Sequence, residues 1–194
     1  MFNFNALLAR LKYIPRWSLM RQNTAEDLAQ HTADVALISH TLCLLAKNKF
    51  GKDVNCEKVA VAAVYHDVSE ILTGDMPTPV KYNNPRIMNA YKAIESHAVN
   101  KLLETSDPSI RESLRPYLTQ ESLTDYEKKL LKAADRICAL TKCIEELQSG
   151  NKEFESAYKS THQALCDMDM DEVRYFTENM LDSYRLCLDE LAKI

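Results

Sequence analysis

Glycine is scarce in this chain, with 3 glycines and 6 prolines among 194 residues. So few turn-formers argue against a turn-rich all-β architecture. No apolar run approaches the roughly 20 residues that cross a bilayer. No N-terminal segment reads as a signal peptide, so a cytoplasmic protein without a membrane span is expected. An excess of basic charge is missing too: 24 lysines and arginines stand against 28 acids, a formal net charge of -4. Binding of polymeric nucleic acid, which needs a basic stripe, is therefore not expected, while a small anion can still be held by a few local cations. The six cysteines (Cys43, Cys56, Cys138, Cys143, Cys166 and Cys187) form no C-x-x-C pair, which argues against a zinc ribbon or redox motif. Several fall in apolar helical stretches, where a thiol acts as a small hydrophobe in a reducing setting.

What the chain does have is apolar residues at helical spacing. Hydrophobic residues make up 46% and charged residues 27%, the balance of a globular domain. Phe4, Leu7, Leu8 and Leu11 follow Asn3 in a pattern that predicts a first helix to about Lys12, packing on the core rather than on a membrane surface. Pro15 then leaves Arg16-Trp17-Ser18 in a connector. Thr24 and Asp27 resemble a capping box with the shorter acid, opening a long helix with His31, Val35, Ile38, Leu42 and Leu45 on one side. A helix over about 55–72 is preferred to a buried strand at 59–64, because the alanines favour it and the pattern continues through Tyr65, Ile71 and Leu72. Residues 73–79 read as a loop.

Asn84-Pro85 reads as the cap and first residue of a helix to about Glu104, with a short helix over 108–117. Thr124 and Glu127 form a capping box for a helix closed by Gly150. Two more helices fit 152–165 and 171–193. The expected fold class is all-α: a single compact helical bundle over 1–194. Its core is expected at about 24–148, with the N- and C-terminal helices packed on it.

Three side chains that carry chemistry crowd together directly after an uncharged run. Val59-Ala60-Val61-Ala62-Ala63-Val64 is followed by His66, Asp67 and Glu70. Burying an ionised carboxylate is costly unless it is paired or binds a metal. On a continuous helix His66 and Glu70 share a face and Asp67 reaches the same side, so the three converge. Asp135 lies among Leu131, Ala134 and Cys138, an acid on an apolar helix side; a salt bridge to Arg136 is the plainer explanation. His31 shares the inner face with Val35 and Ile38. Any one of these histidines read singly is a packed core histidine, as His40, His97 or His162 would be. Together, two imidazoles and two carboxylates suit Mn, Fe, Co or Zn in a site with open positions.

The pattern His31 … His66-Asp67 … Asp135 resembles the H…HD…D signature of the HD-domain metal-dependent phosphohydrolases. Three stretches resemble the bacterial 5'-deoxynucleotidases more narrowly: Arg16-Trp17; Tyr65 through Glu70 and the loop Thr73-Gly74-Asp75-Met76-Pro77-Thr78-Pro79 to Val80-Lys81-Tyr82; and Lys132-Ala133-Ala134-Asp135. The likeness covers nearly the whole chain, and the loop is its most specific part. It implies an HD-domain helical bundle in which His31, His66, Asp67 and Asp135 hold one divalent transition metal, such as Co2+ or Mn2+. It makes Glu70 the catalytic acid/base and Arg16 the catalytic residue that orients the phosphate. Trp17 would lie beside C2' of the sugar, and Asp67 and Asp135 would also touch substrate. Asp75, Met76, Pro77 and Thr78 would form the substrate loop, with Asp75 on the 3'-hydroxyl.

The implied substrate is a deoxyribonucleoside 5'-monophosphate, cleaved to deoxynucleoside and phosphate by metal-activated water in a cytoplasmic homodimer. Gln30 departs from the Glu that many relatives carry before the first histidine, a change that could alter metal preference. Two other readings stay open. One is an HD phosphohydrolase for a triphosphate, cyclic dinucleotide or alarmone; a triphosphate would demand more cations than Arg16 and Lys81. The other is a non-catalytic nucleotide-binding module, against which the full ligand set and Glu70 speak.

Overall fold

The computed structural model describes residues 1–81 and 83–192. Tyr82, in the family-like stretch, Lys193, at the end of the last predicted helix, and Ile194 lie outside the described residues. The helices are α1 (Phe4–Leu8), α2 (Leu28–Asn48), α3 (Cys56–Val64), α4 (Glu70–Thr73), α5 (Thr78–Lys81), α6 (Pro85–Glu104), α7 (Pro108–Leu118), α8 (Asp125–Gln148), α9 (Glu155–Cys166), α10 (Asp171–Asn179) and α11 (Leu188–Leu191). Among the described residues the only β pairing is an isolated antiparallel bridge, Pro15 to Asp27. No helix there is long and apolar enough to cross a membrane.

The helix starts follow local capping chemistry. Asn84 accepts from the Ile87 amide at 3.0 Å and opens α6. Thr124 and Glu127 close the expected box on α8. The box on α2 sits three residues later than the Thr24-Asp27 pattern predicts. Asp27 Oδ1 accepts from the Ala29 and Gln30 amides at 2.8 and 3.0 Å, and Gln30 Oε1 accepts from the Asp27 amide at 3.1 Å. Gln30 is thus a capping residue, a task that the amide oxygen of Gln performs as well as Glu.

The helix predicted over 55–72 breaks at Val64. Beyond it, amides bond three residues back: Tyr65 to Ala62 at 3.1 Å, His66 to Ala63 at 3.3 Å, Val68 to Tyr65 at 3.2 Å and Glu70 to Asp67 at 3.0 Å. A side chain competes for the backbone at this break. His66 Nδ1 lies 2.8 Å from the Ala63 carbonyl, the acceptor a continuing α-helix would have given to the Asp67 amide. Two other predicted helices are also divided. The first ends at Leu8 and resumes as a 3-10 turn over Leu11–Tyr13. The last comes as α10, a 3-10 turn over Leu181–Arg185, and α11. That turn keeps Leu181 in the core, and Gln148 Nε2 donates to the Arg185 carbonyl at 2.6 Å. The predicted loop 73–79 ends early, because Thr78 opens α5.

The main core joins α2 (Val35, Ile38, Leu42), α3 (Val59, Ala62, Ala63) and α8 (Leu130, Ala134, Ile137), and reaches Val173, Phe176 and Leu181. Cys43, Cys56, Cys138 and Cys143 are buried, and all six cysteines are free. A second cluster sets Phe4 with Val68, Leu102, Leu103 and Leu118. The N-terminal helix therefore packs inward, as its pattern predicts. Val68 belongs to this second cluster, so the His66–Glu70 turns run between the two cores.

A buried polar network fastens the connector ahead of α2. Glu146 is 0% exposed. It accepts from the Asn23 amide at 2.9 Å, the Thr24 amide at 3.0 Å, Asn151 Nδ2 at 2.7 Å and Lys142 Nζ at 2.7 Å. A buried ion pair adds little net stability when intact but is expensive to break. Glu146→Ala should lower the unfolding free energy by about 3 kcal/mol in a urea titration; a loss below about 1 kcal/mol, typical of an exposed pair, would rule out this anchoring role.

Candidate functional site

Three segments bring the predicted residues together. The first turn of α2 carries His31, which is fully buried. The tight turns after α3 carry His66 and Asp67, and the middle of α8 carries Asp135. His31 Nε2 lies 3.3 Å from Asp135 Oδ1 and 3.6 Å from Asp67 Oδ2, and His66 Nε2 lies 3.0 Å from Asp67 Oδ2. One ligand atom each from His31, His66 and Asp67 falls within a 4.8 Å span. Arg136 is not the partner of Asp135: it donates to the Ala164 carbonyl at 3.0 Å, while Lys132 Nζ lies 2.6 Å from Asp135 Oδ2.

Buried polar atoms without a partner are rare and call for an explanation. Among the described residues, His31 Nε2, His66 Nε2 and Glu70 Oε2 find no hydrogen-bond partner. The His66 Nδ1 contact with Ala63 sets that nitrogen as the donor, so Nε2 is the nitrogen that faces Asp67 and that an ion would take. This donor set fits a divalent transition metal, and the orphaned nitrogens are what such an ion would satisfy.

The carboxyls divide into ionised and neutral. Burial would raise Asp67, but the His66 imidazole beside it, with His31, holds it at about 2. Burial opposes ionisation of Asp135 as well, yet His31 and Lys132 keep it well below the ordinary carboxylate range. His66 is raised, because the Asp67 carboxylate outweighs desolvation of its charged form. Glu70 goes the other way. It is 5% exposed, and burial together with the charges of Asp67 and Asp75 pushes it up to about 9. A neutral acid beside ionised carboxylates is the arrangement that general acid/base chemistry uses.

A second group approaches from the N-terminal connector. The Arg16 amide donates to the Glu26 carbonyl and the Leu28 amide to the Ile14 carbonyl, each at 3.0 Å. This short ladder sets Arg16 beside the start of α2. Its Nε lies 3.2 Å from Glu26 Oε2 and its Nη1 3.8 Å from Asp67 Oδ2. Burial works against its charge, and Glu26, Asp135, Asp67 and Asp75 more than restore it. Trp17 sits at φ 58°, a left-handed conformation that is strained for a bulky side chain. Its Nε1 donates to Glu26 Oε2 at 2.7 Å, and its ring packs on Phe154 at 5.1 Å between centroids.

Asp75 follows Gly74, whose φ of 73° suits the residue type without a Cβ. Tyr91 Oη donates to the Gly74 carbonyl at 3.3 Å and pins this turn. The Asp75 carboxyl is raised by burial, against Arg16, and so belongs to the cluster. Met76 and Pro77 are half-buried and Thr78 is exposed. Among the described residues these three join no ion pair or side-chain hydrogen bond of the cluster. Lys81 pairs with Glu95 at 2.8 Å.

The residue that sequence reasoning missed is Glu26. It is an ordinary acid ahead of a helix cap until the pairing of 14–16 with 26–28 is known.

The fold is that of the HD-domain phosphohydrolases. An HD-domain phosphohydrolase from Listeria innocua superposes with a TM-score of 0.82 at 22% identity, covering 94% of this chain and 88% of that one. The cyanophage S-2L HD phosphohydrolase bound to dA and one catalytic Zn2+ ion matches with a TM-score of 0.65 at 18% identity, covering 92% and 96%. At these identities the likeness is one of fold. Sequence likeness is narrower. The model of the "5'-deoxynucleotidase YfbR-like" family matches residues 3–184. A 5'-deoxynucleotidase of Vibrio vulnificus is 44% identical over 190 residues, 98% of each chain. The 5'-deoxynucleotidase YfbR of Escherichia coli is 43% identical over 191 residues, 98% of this chain and 96% of its own. The chain belongs to the 5'-deoxynucleotidase YfbR-like family.

The environment of Glu70 has a measurable consequence in metal-stripped protein. Its carboxyl keeps a proton to about pH 9 when folded and releases it near the ordinary 4.5 when unfolded. Across that window the folded state binds the extra proton, so Glu70 costs stability as pH rises. Melting curves taken from pH 5 to pH 9 should fall more steeply for wild type than for Glu70→Gln; parallel curves would show that Glu70 ionises freely.

Proposed function

We propose that this chain hydrolyses deoxyribonucleoside 5'-monophosphates to deoxynucleoside and phosphate, with one divalent transition metal held by His31, His66, Asp67 and Asp135. The observation that carries the reading is the meeting of two orphaned imidazole nitrogens and two ionised carboxylates with a neutral Glu70 and a charged Arg16, in a chain whose full-length relatives are 5'-deoxynucleotidases.

A divalent ion in this set supplies Lewis acidity toward water and a phosphate oxygen near neutral pH. The protein's own groups do the rest. As water adds to phosphorus and the bond to the 5'-oxygen breaks, Glu70 gives its proton to that leaving oxygen, and a proton of the added water returns Glu70 to its neutral form. Arg16 meets the phosphate with a planar fork, which suits that anion better than a point charge. Its Nη1 lies 3.8 Å from Asp67 Oδ2, so a phosphate bound there lies next to the proposed ligands Asp67 and Asp135, which border the substrate through the ion that they would hold. The rigid ring of Trp17 lies against C2' and leaves no space for a ribose hydroxyl, while Asp75 accepts from the 3'-hydroxyl. Met76, Pro77 and Thr78 complete the loop beside the nucleoside.

The metal is proposed as Co2+, Mn2+ or a similar ion. The dA and Zn2+ in the cyanophage protein accord with a nucleoside-and-metal pocket on this fold. Residues 1–194 act as one domain. A cytoplasmic homodimer is the proposed form, as the likeness to the 5'-deoxynucleotidases implies. A triphosphate substrate is disfavoured, since Lys81 is engaged by Glu95 and Arg16 remains the principal cation of the cluster.

A metal-by-substrate matrix on metal-stripped protein is the primary test. Phosphate should be released from deoxyribonucleoside 5'-monophosphates once metal is restored. Pyrophosphate or triphosphate from longer nucleotides would favour the other phosphohydrolase reading, and silence with every divalent ion a binding module.

Substitutions then separate the roles. Glu70→Ala should lower kcat by about 10²–10⁴ while nucleotide still binds, and Arg16→Ala by about 10². Trp17→Ala should narrow the deoxy-over-ribo preference. Wild-type kinetics in any of the three removes the role assigned to that residue.

A further inference from the structure

Glu26 touches both halves of the site and belongs to neither. Its side chain is mostly buried, at 12% exposure. One carboxylate oxygen, Oε2, accepts from Trp17 Nε1 at 2.7 Å and Arg16 Nε at 3.2 Å. The other, Oε1, faces His31 Nδ1 at 4.0 Å. That nitrogen is buried and has no hydrogen-bond partner among the described residues. The imidazole's opposite nitrogen, Nε2, points at Asp135 and Asp67. A histidine that ligates through Nε2 keeps its proton on Nδ1 and needs an acceptor there, and a carboxylate is the usual one.

We infer that Glu26 is a positioning residue linking nucleotide selection to metal binding, on the Proposed function reading of Arg16, Trp17 and His31. One oxygen holds the guanidinium and the strained indole in place. The other fixes the His31 tautomer that leaves Nε2 available to the metal. Neither half needs Glu26 to touch substrate, since it acts through the three side chains around it.

The chemistry of an amide separates this from a merely structural role. In Glu26→Gln only one terminal atom is an acceptor. If the amide oxygen stays on Trp17 and Arg16, the amide nitrogen faces His31 and forces its proton to Nε2. If the amide turns over, its nitrogen opposes the donors of Trp17 and Arg16. One side must therefore be lost although the volume is conserved.

Two readouts need no turnover. Calorimetric titration of metal-stripped protein with Mn2+ follows the His31 side. Acrylamide quenching of Trp17, the only tryptophan in the chain, follows the other. Glu26→Ala should weaken Mn2+ binding by about 10- to 100-fold and expose Trp17 to quencher. Glu26→Gln should do at least one of these at a temperature where it is fully folded, and by either route narrow the ratio of kcat/KM for dAMP over AMP. Should Glu26→Ala not fold, the Gln variant carries the test alone. A folded Glu26→Gln protein with Mn2+ affinity within twofold of wild type and unchanged Trp17 quenching overturns the inference. Because both readouts are taken without substrate, they stand or fall separately from the assignment of deoxynucleotides.

Discussion

The contact between His66 Nδ1 and the Ala63 carbonyl, 2.8 Å long, organises the rest of the site. It removes the acceptor that would have carried α3 onward, so the chain tightens into turns that bond three residues back. It commits Nδ1 to the backbone and leaves Nε2 as the nitrogen that faces inward. The changed winding also re-aims Asp67 and Glu70, which a straight α-helix would have set by its own period. Val68, between them, is buried in the second core, so packing holds the turns from the far side. A side chain taking a backbone acceptor is normally a defect in a helix. Here the defect lies where an ion would recover what the backbone gave up.

The N-terminal connector depends on a different kind of restraint. It has little regular structure of its own, only the 14–16 to 26–28 pairing, and it carries Trp17 in a left-handed conformation. Such strain persists only where the surroundings over-determine it. Two carboxylates do so, one buried and one mostly buried. Glu146, on α8, gathers the amides of Asn23 and Thr24, and Glu26 gathers Trp17 and Arg16. The first joins the connector to the core, and the second turns its other oxygen toward His31. Phe154, fully buried beneath the Trp17 ring, gives the indole an apolar floor.

Features that rest on local chemistry were legible in the sequence. Asn84-Pro85 and Thr124 … Glu127 mark helix starts because the cap and its partner lie within four residues. Asp135 was legible as an anomaly, an acid on an apolar face, although its partners proved to be His31 and Lys132 rather than Arg136. The break at Val64 was not, because an alanine-rich run favours helix and the competing acceptor is taken by a side chain. The last helix was over-extended for a related reason: its spacing stays helical while the chain turns to keep Leu181 in the core. The site itself was partly legible. His66, Asp67 and Glu70 stand out as charge after an apolar run, whereas His31 joined them through family likeness. Glu26 depends on a bridge between segments ten residues apart, which no periodicity reports.

The contrast between Asp67 and Glu70 shows what the fold contributes beyond collecting ligands. The two carboxyls are three residues apart, and one is held at about 2 while the other is pushed to about 9. Both are desolvated, so burial alone does not divide them. Asp67 faces two imidazoles and the Arg16 guanidinium, which repay its charge, whereas Glu70 faces the carboxylates of Asp67 and Asp75 and has one oxygen with no partner. Ionising Asp67 therefore makes ionising Glu70 harder. The same carboxylate that the imidazoles keep ionised thus keeps its neighbour protonated. Reversing the two residues would place the neutral acid among the imidazoles and the ionised one where burial and Asp75 outweigh Lys81 and Arg16, so the order along the turn follows from the charges that each position faces.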